Sequence, residues 1–339
     1  MNTAIIAVLT GPKSTLNALA TLAGHVGPDD YAANLRADAE SSRGTRSAAT
    51  ERALLGDILL FSGWCSDAGL RHLPAAPDTV ARFIDAQAEA GKAPASIRRY
   101  AASIAAYHRS ARAPNPLELK IAKDALKRMA RARGEKQDQA KGINDHLVVK
   151  MLASSGRRLI DLRNRALLTV GYSTMARRSE LVALLTEDLR IDADGWGIIT
   201  IRKSKTDQTG IGAAVAITAD AVQHLQAWLA AARIESGPLF RRVNRHRQVR
   251  GPLDAASVSR IYKAMAKRAR LRPEEVARIS GHSTRVGACE DMVRYGADLA
   301  GAMQAGRWRT ATMVARYAEG LDLKRGAVAQ VAARREKFV

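Results

Sequence analysis

The chain has 339 residues, is 47% hydrophobic and only 4% aromatic, and is long enough for two ordinary domains with buried cores. Lys and Arg number 54 against 33 Asp and Glu, a formal net charge of +21, and an excess of this size points to a polyanionic partner, nucleic acid first. No apolar run reaches the roughly 20 residues of a spanning helix, Thr3–Leu9 lacks the basic residues that precede a secretory core, and Cys65 and Cys289 lie too far apart in sequence for a disulfide framework or a metal set, so we expect reduced thiols, no membrane contact and a cytoplasmic, nucleoid-associated protein.

Residues 1–46 are rich in Ala, Gly and Asp with weak periodicity, and a poorly ordered arm is expected. From Thr50, a candidate N-cap, Ala53, Leu54, Ile58, Leu59, Phe61 and Trp64 recur at helical spacing. Pro77-Asp78 opens a second helix through Val80, Phe83 and Ile84 to about Gly91, and a third runs from about Ser96 to Ala111, where Pro114 and Pro116 end it. A fourth, Leu117 to Arg133, alternates apolar residues with Lys120, Lys123, Lys127, Arg128, Arg131 and Arg133. Residues 47–133 therefore read as a small helical bundle with basic faces, a plausible DNA-binding domain. The polar stretch 134–143 reads as a linker.

A second domain, 144–339, begins at Asn144, a good N-cap, with further helices at about Leu159–Tyr172 and Arg177–Leu184. The period then changes. Gly195–Ile201 and Gly212–Ile217 read as short strands joined by the basic tip Arg202-Lys-Ser-Lys-Thr-Asp-Gln-Thr-Gly210. The remainder is helical: about Ala219–Arg233, Asp254–Arg270, Gly281–Tyr295, Leu299–Gly306, Thr310–Ala318 and Leu323–Arg335. The fold class is mainly α, a helical bundle followed by a mostly helical domain with one small β hairpin.

Chemistry concentrates in Ser280-Gly-His-Ser-Thr-Arg-Val-Gly-Ala288, where His282 and Arg285 lie three apart and share a helix face if the stretch opens a helix. A permanent cation beside an imidazole that titrates near neutrality suits an oxyanion such as a phosphate in transfer. Trp308 and Tyr317 follow, and tyrosine can act as a covalent nucleophile once activated. Tyr262 and Tyr295 are rival nucleophiles, Arg178 competes with Arg177, and Lys203 competes with Lys205. His108, His146, His224 and His246 have no such neighbours in sequence.

In order, Arg177, Glu180, Lys205, His282, Arg285, Trp308 and Tyr317 form a set that resembles the tyrosine recombinase (phage integrase) family. The resemblance is carried by Arg177-x-x-Glu180-Leu181, Ser204-Lys205-Thr206, Ser280–Met292, Met303-Gln-Ala-Gly-Arg-Trp308 and the Tyr317 segment. It covers roughly residues 47–339 and favours the branch with tryptophan where many relatives have histidine. It implies a two-domain C-shaped DNA clamp: a helical core-binding domain, and a catalytic domain whose C-terminal helix, Leu323–Val339, docks into a neighbouring subunit. In that reading Arg177 and Arg285 clamp the phosphate, Glu180 orients the site and Lys205 protonates the leaving 5′ oxygen. His282 assists proton transfer, Trp308 packs against the phosphate, and Tyr317 attacks to leave a 3′-phosphotyrosine. Arg52, Ser96, Arg98 and Arg99 reach the DNA from helix starts. No cofactor, metal or ATP is implied. The partners are double-stranded DNA with inverted half-sites and further copies of the chain, a dimer per site and a tetramer in synapsis, exchanging strands through a Holliday junction. The alternative readings are a type IB topoisomerase-like relaxing enzyme and a catalytically silent DNA-binding protein.

Overall fold

The computed structural model describes residues 30–134, 139–202 and 212–318. Its contacts divide the chain into two units between residues 138 and 139.

The first unit contains five α-helices among the described residues: α1 (Tyr31–Ser41), α2 (Ala48–Asp67), α3 (Pro77–Glu89), α4 (Pro94–Ser110) and α5 (Lys120–Arg133). Proline at the first position starts α3 and α4, where its missing N–H leaves no bond unmade. The core is built from Leu54, Ile58, Phe61, Val80, Phe83, Ile84, Ile97, Ile104 and Tyr107, with Phe61 and Phe83 edge-on at 5.1 Å. Helix α1 corrects the expectation of a poorly ordered arm through residue 46. Asp30 caps it, Ala32, Leu35 and Ala39 bury one face, and Asn34 donates to the Ala111 carbonyl at 3.1 Å. Its alanine-rich stripe gives little apolar contrast, so the pattern is weak in sequence although the face is buried. Two further starts shift. Ser47, not Thr50, caps α2, and Pro94 opens α4 before Ser96.

Two buried polar groups bind this bundle together. Asp57 accepts from Arg99 Nη1 at 2.6 Å and from Ser103 Oγ at 2.7 Å, joining α2 to α4. His108, fully buried, accepts the Ala75 N–H at Nε2 and lies 2.8 Å from the Ile104 carbonyl through Nδ1. Accepting at Nε2 leaves Nδ1 as the protonated nitrogen.

The second unit opens at α6 (Asp145–Ala153), capped by Asn144 as its sequence predicts. Helices α7 (Leu159–Thr174) and α8 (Arg178–Val182) lead into β1 (Leu189–Ile191), β2 (Gly197–Ile201) and β3 (Ala213–Ile217), which pair antiparallel in the order β1-β2-β3. The expected hairpin is β2–β3, with Ile199 opposite Val215, and β1 is an additional edge strand. Helix α9 (Ala219–Ala232) packs along α7, and its buried Trp228 donates to the Leu239 carbonyl at 2.8 Å. A second hairpin, β4 (Arg241–Val243) with β5 (Val249–Pro252), precedes α10 (Ala255–Arg268), α11 (Pro273–Arg278), α12 (Ser283–Arg294), α13 (Leu299–Gly306) and α14 (Thr312–Ala318). The β4–β5 hairpin and α11 escape the sequence patterns because each is a few residues long.

Residues 139–143, expected to belong to a linker, bond into this unit. Lys141 N–H donates to the Arg278 carbonyl at 3.1 Å and Ile143 N–H to the Ser283 carbonyl at 2.8 Å. Gly287 permits that approach, since a Cβ there would stand 2.1 Å from the Ile143 backbone. Asp291, also on α12, accepts from Tyr172 Oη at 2.8 Å and from the Asp145 N–H at 2.6 Å. Helix α12 is thus tied to Ile143, Asp145 and Tyr172. Among the described residues no helix is long and apolar enough to cross a membrane.

Candidate active site

The site forms where α7, α8, α12, α13 and α14 meet. Helix α7 ends at Met175, whose left-handed backbone (φ 49°) turns the chain into α8. Arg177 is the N-cap of α8, and Glu180, three residues on, accepts its backbone N–H at 3.0 Å and its Nη1 at 2.7 Å. A carboxylate in the first turn also complements the helix dipole. Arg178, the competing arginine, points to solvent.

Glu180 has a side chain only 3% exposed and holds a second guanidinium, Arg307 Nη2 at 2.8 Å. Burial alone would raise its pKa. The Arg177 hydrogen bonds and the Arg307 and Arg177 charges outweigh it, so the carboxyl lies below its ordinary range.

His282 caps α12, and Ser280 and Ser283 tie the turn before it. His282 and Arg285, expected to share a helix face, lie close enough for the Arg285 charge to act on the imidazole, but they differ in exposure. His282 stays exposed at the cap, whereas Arg285 turns inward and is 2% exposed. Arg285 Nη1 donates to the Met175 carbonyl at 2.6 Å, Nη2 donates to the Gly306 carbonyl, and the guanidinium carbon lies 4.6 Å from the Trp308 ring centroid. Burial, then the Arg177 and Arg307 charges, lower its pKa to about 10, which leaves it charged at neutral pH. The His282 pKa is also lowered, first by loss of hydration and then by Arg285, Arg177 and Arg178. Its ring is therefore neutral near pH 7 and able to take a proton.

Trp308 lies across Gly306, where a Cβ would stand 2.3 Å from the indole. Its other neighbour is Tyr317, with ring centroids 5.5 Å apart and tilted by 48°. Tyr317 is 7% exposed on α14. Burial raises its pKa, opposed by the Arg285, Arg316 and Arg177 charges. The resting phenol is protonated, and the neighbouring arginine charges favour its anion.

Of the residues singled out from sequence, Arg177, Glu180, His282, Arg285, Trp308 and Tyr317 come together here. Lys205 lies outside the described residues, as does the expected helix at Leu323–Val339. The rival tyrosines separate. Tyr262 is a core residue whose Oη donates to the Leu167 carbonyl at 3.3 Å, and Tyr295 is exposed. In the first unit Arg52, Arg98 and Arg99 lie on the surface and Ser96 is half-buried in the first turn of α4. Arg99 is held by Asp57 and lies 5.2 Å from the Tyr100 ring.

Two features were missed in the sequence. Arg307 enters the site beside Trp308; its position within the Met303–Trp308 motif was the available signal. The β4–β5 hairpin carries Arg241, Arg242, Arg245, Arg247 and Arg250 with no acidic residue between Arg241 and Pro252, a charge run visible in the sequence.

The chain is similar to known proteins along most of its length. The Phage integrase family matches residues 135–323. The chain is 34% identical over 286 residues to an integrase/recombinase xerD homolog of Selenomonas ruminantium, covering 80% of this chain and 81% of that one. It is 26% identical over 299 residues to recombinase cre of Escherichia phage P1, covering 83% and 87%. Its fold is similar to that of XerH site-specific recombinase bound to palindromic difH substrate, with a TM-score of 0.61 at 16% identity over 97% of this chain and 98% of that one. With the family match spanning more than half of the chain, the protein belongs to the phage integrase family of tyrosine-type site-specific DNA recombinases.

Proposed function

We propose that the protein cuts and rejoins DNA through a covalent bond to Tyr317, without metal or ATP. The observation that carries this is the stack of Arg285, Trp308 and Tyr317 beside the Glu180-held Arg177. Two guanidinium groups, one buried and one at a helix start, supply donors to the non-bridging oxygens of a phosphodiester, where negative charge grows during attack. The Tyr317 phenolic oxygen forms the new bond to phosphorus, and the bond from phosphorus to the 5′ oxygen breaks. The phenol's proton passes toward neutral His282, and the 5′ oxygen takes a proton from Lys205, the role the family resemblance assigns to it. The 3′-phosphotyrosine conserves the phosphodiester's energy, so the reverse attack by a 5′ hydroxyl reseals a strand. Glu180 keeps Arg177 aimed, and Trp308 covers the phosphate site.

The basic first unit, with Arg52, Ser96, Arg98 and Arg99 in the first two turns of α2 and α4, binds the same duplex. Two copies occupy inverted half-sites, and two such sites synapse as a tetramer and exchange strands through a Holliday junction. The Leu323–Val339 helix links neighbouring copies. Wild-type protein and Tyr317→Phe are incubated with nicked duplexes drawn from DNA flanking the gene. We expect a denaturation-resistant adduct on one fragment, lost in Tyr317→Phe and insensitive to chelator. Adducts on all fragments, with relaxation of supercoils by single copies, would instead support a type IB topoisomerase-like activity. Tight binding to one fragment with no adduct would support a silent DNA-binding protein.

A further inference from the structure

Gly306, Arg307 and Trp308 are consecutive, and each meets a different part of the site. The Gly306 carbonyl accepts from Arg285 Nη2, and the Trp308 ring lies against the Arg285 guanidinium at 4.6 Å. Between them Arg307 turns the other way. Its backbone is left-handed (φ 52°), its side chain is 12% exposed, Nη1 donates to the Thr174 carbonyl at 2.9 Å and Nη2 to Glu180 Oε2 at 2.8 Å. Arg177 Nη1 takes the other oxygen, Glu180 Oε1, at 2.7 Å. One buried carboxylate is thus shared between the arginine that starts α8 and the turn that seats Arg285 and Trp308.

We propose that Arg307 is a positioning residue for strand cleavage: it ties the Gly306–Trp308 turn to Glu180, and so sets Arg285 and Trp308 against Arg177. The inference rests on the Tyr317 reading above. It assigns Arg307 no contact with the DNA. Its guanidinium acts through Glu180, so its loss changes the rate of the bound complex rather than the affinity. The planar fork of arginine reaches two acceptors at once, and a lysine ammonium reaches them poorly.

The test compares Arg307→Ala, Arg307→Gly and Arg307→Lys in the full chain. Four quantities are read: the adduct rate on a nicked duplex at saturating protein, DNA affinity, melting temperature, and the pH dependence of the rate. We expect Ala to slow cleavage by about tenfold or more at saturation with affinity unchanged, and Lys to recover part of the loss. Gly should be as slow as Ala although it suits the left-handed backbone. Below the limb set by His282, the acidic fall-off of the rate should begin at higher pH in Ala, because Glu180 loses a neighbouring cation; a purely structural role would leave that acidic limb in place. In a Glu180→Gln background the Arg307→Ala change should cost far less, since coupled residues are not additive. Wild-type rate in Ala or Gly overturns the proposal, as does a loss that follows melting temperature or affinity with an unmoved acidic limb. The Tyr317→Phe control separates the two readings: an adduct that survives it refutes the nucleophile assignment, whatever Arg307 does.

Discussion

Replacing Arg285 by lysine keeps the charge and removes the geometry. The guanidinium bridges the Met175 carbonyl, at 2.6 Å, and the Gly306 carbonyl, which belong to different elements, while its face lies 4.6 Å from the Trp308 ring centroid. An ammonium makes one of these bonds well. Leaving a buried carbonyl unpaired costs about 1–3 kcal/mol, and weakening the cation–π contact costs about 0.5–2 kcal/mol. Loss of roughly 1.5–5 kcal/mol of stability lowers the melting point by about 3–20 °C for a unit of this size. The chemical step loses more, because a donor aimed at developing negative charge is worth about 100- to 1000-fold in rate. The assay is adduct formation on a nicked duplex at saturating protein, beside a thermal melt and a binding titration. Arg285→Lys should bind DNA within a few-fold of wild type, melt lower and cleave at least about 100-fold more slowly. A variant that melts as wild type and cleaves within about threefold, less than one oxyanion donor is worth, would refute the assignment of Arg285 as a buried, geometrically fixed phosphate ligand.

Gly287→Ala should cost about 1–3 kcal/mol or more, because its Cβ would stand 2.1 Å from the Ile143 backbone. Helix α12 must then shift and carry Arg285 with it, so cleavage should fall further than binding; equal losses in a binding titration and a cleavage assay would contradict this. His108 is held neutral by burial, its pKa lowered from 6.5 to about 4. Unfolded chain therefore binds a proton that folded chain refuses, so this group's stabilisation is complete above pH 6.5 and lost as pH falls toward 4, by about 3 kcal/mol. Thermal melts between pH 7 and pH 4.5 should show a shallower acid loss in His108→Gln, and an identical slope would reject the origin assigned here. Binding should weaken steeply with salt as phosphate counterions are released. Arg242→Ala and Arg245→Ala, on the β4–β5 hairpin, should each reduce the slope of log affinity against log salt by about one, and an unchanged slope would remove that hairpin from the DNA-facing surface.

Local signals made much of the fold legible. Asn144 before an apolar stripe, Pro77 at a helix start, and alternating strands around a basic tip each act within a few residues, so sequence order carries them. The six candidate site residues in the described chain were found because their types recur in a known order around one chemistry. Contacts made across the fold were not legible. Asp57 meets Arg99 across 42 positions and Arg307 meets Glu180 across 127, and nothing local marks either pair. The burial of Arg285 likewise depends on Met175 and Gly306, which helix periodicity does not contain. Helix α1 was overlooked for a different reason: alanine buries well yet contributes little contrast to an apolar pattern.

The central claim is that Tyr317 carries the DNA, and the most direct measurement is to identify the residue bearing the phosphate. The trapped adduct is digested with nuclease and trypsin, and the modified peptide is sequenced by mass spectrometry. Cleavage after Arg316 and Lys324 releases a peptide that begins at Tyr317. The account predicts a 3′-linked nucleotide on that tyrosine. A nucleotide on Tyr262, Tyr295 or any other side chain would contradict it.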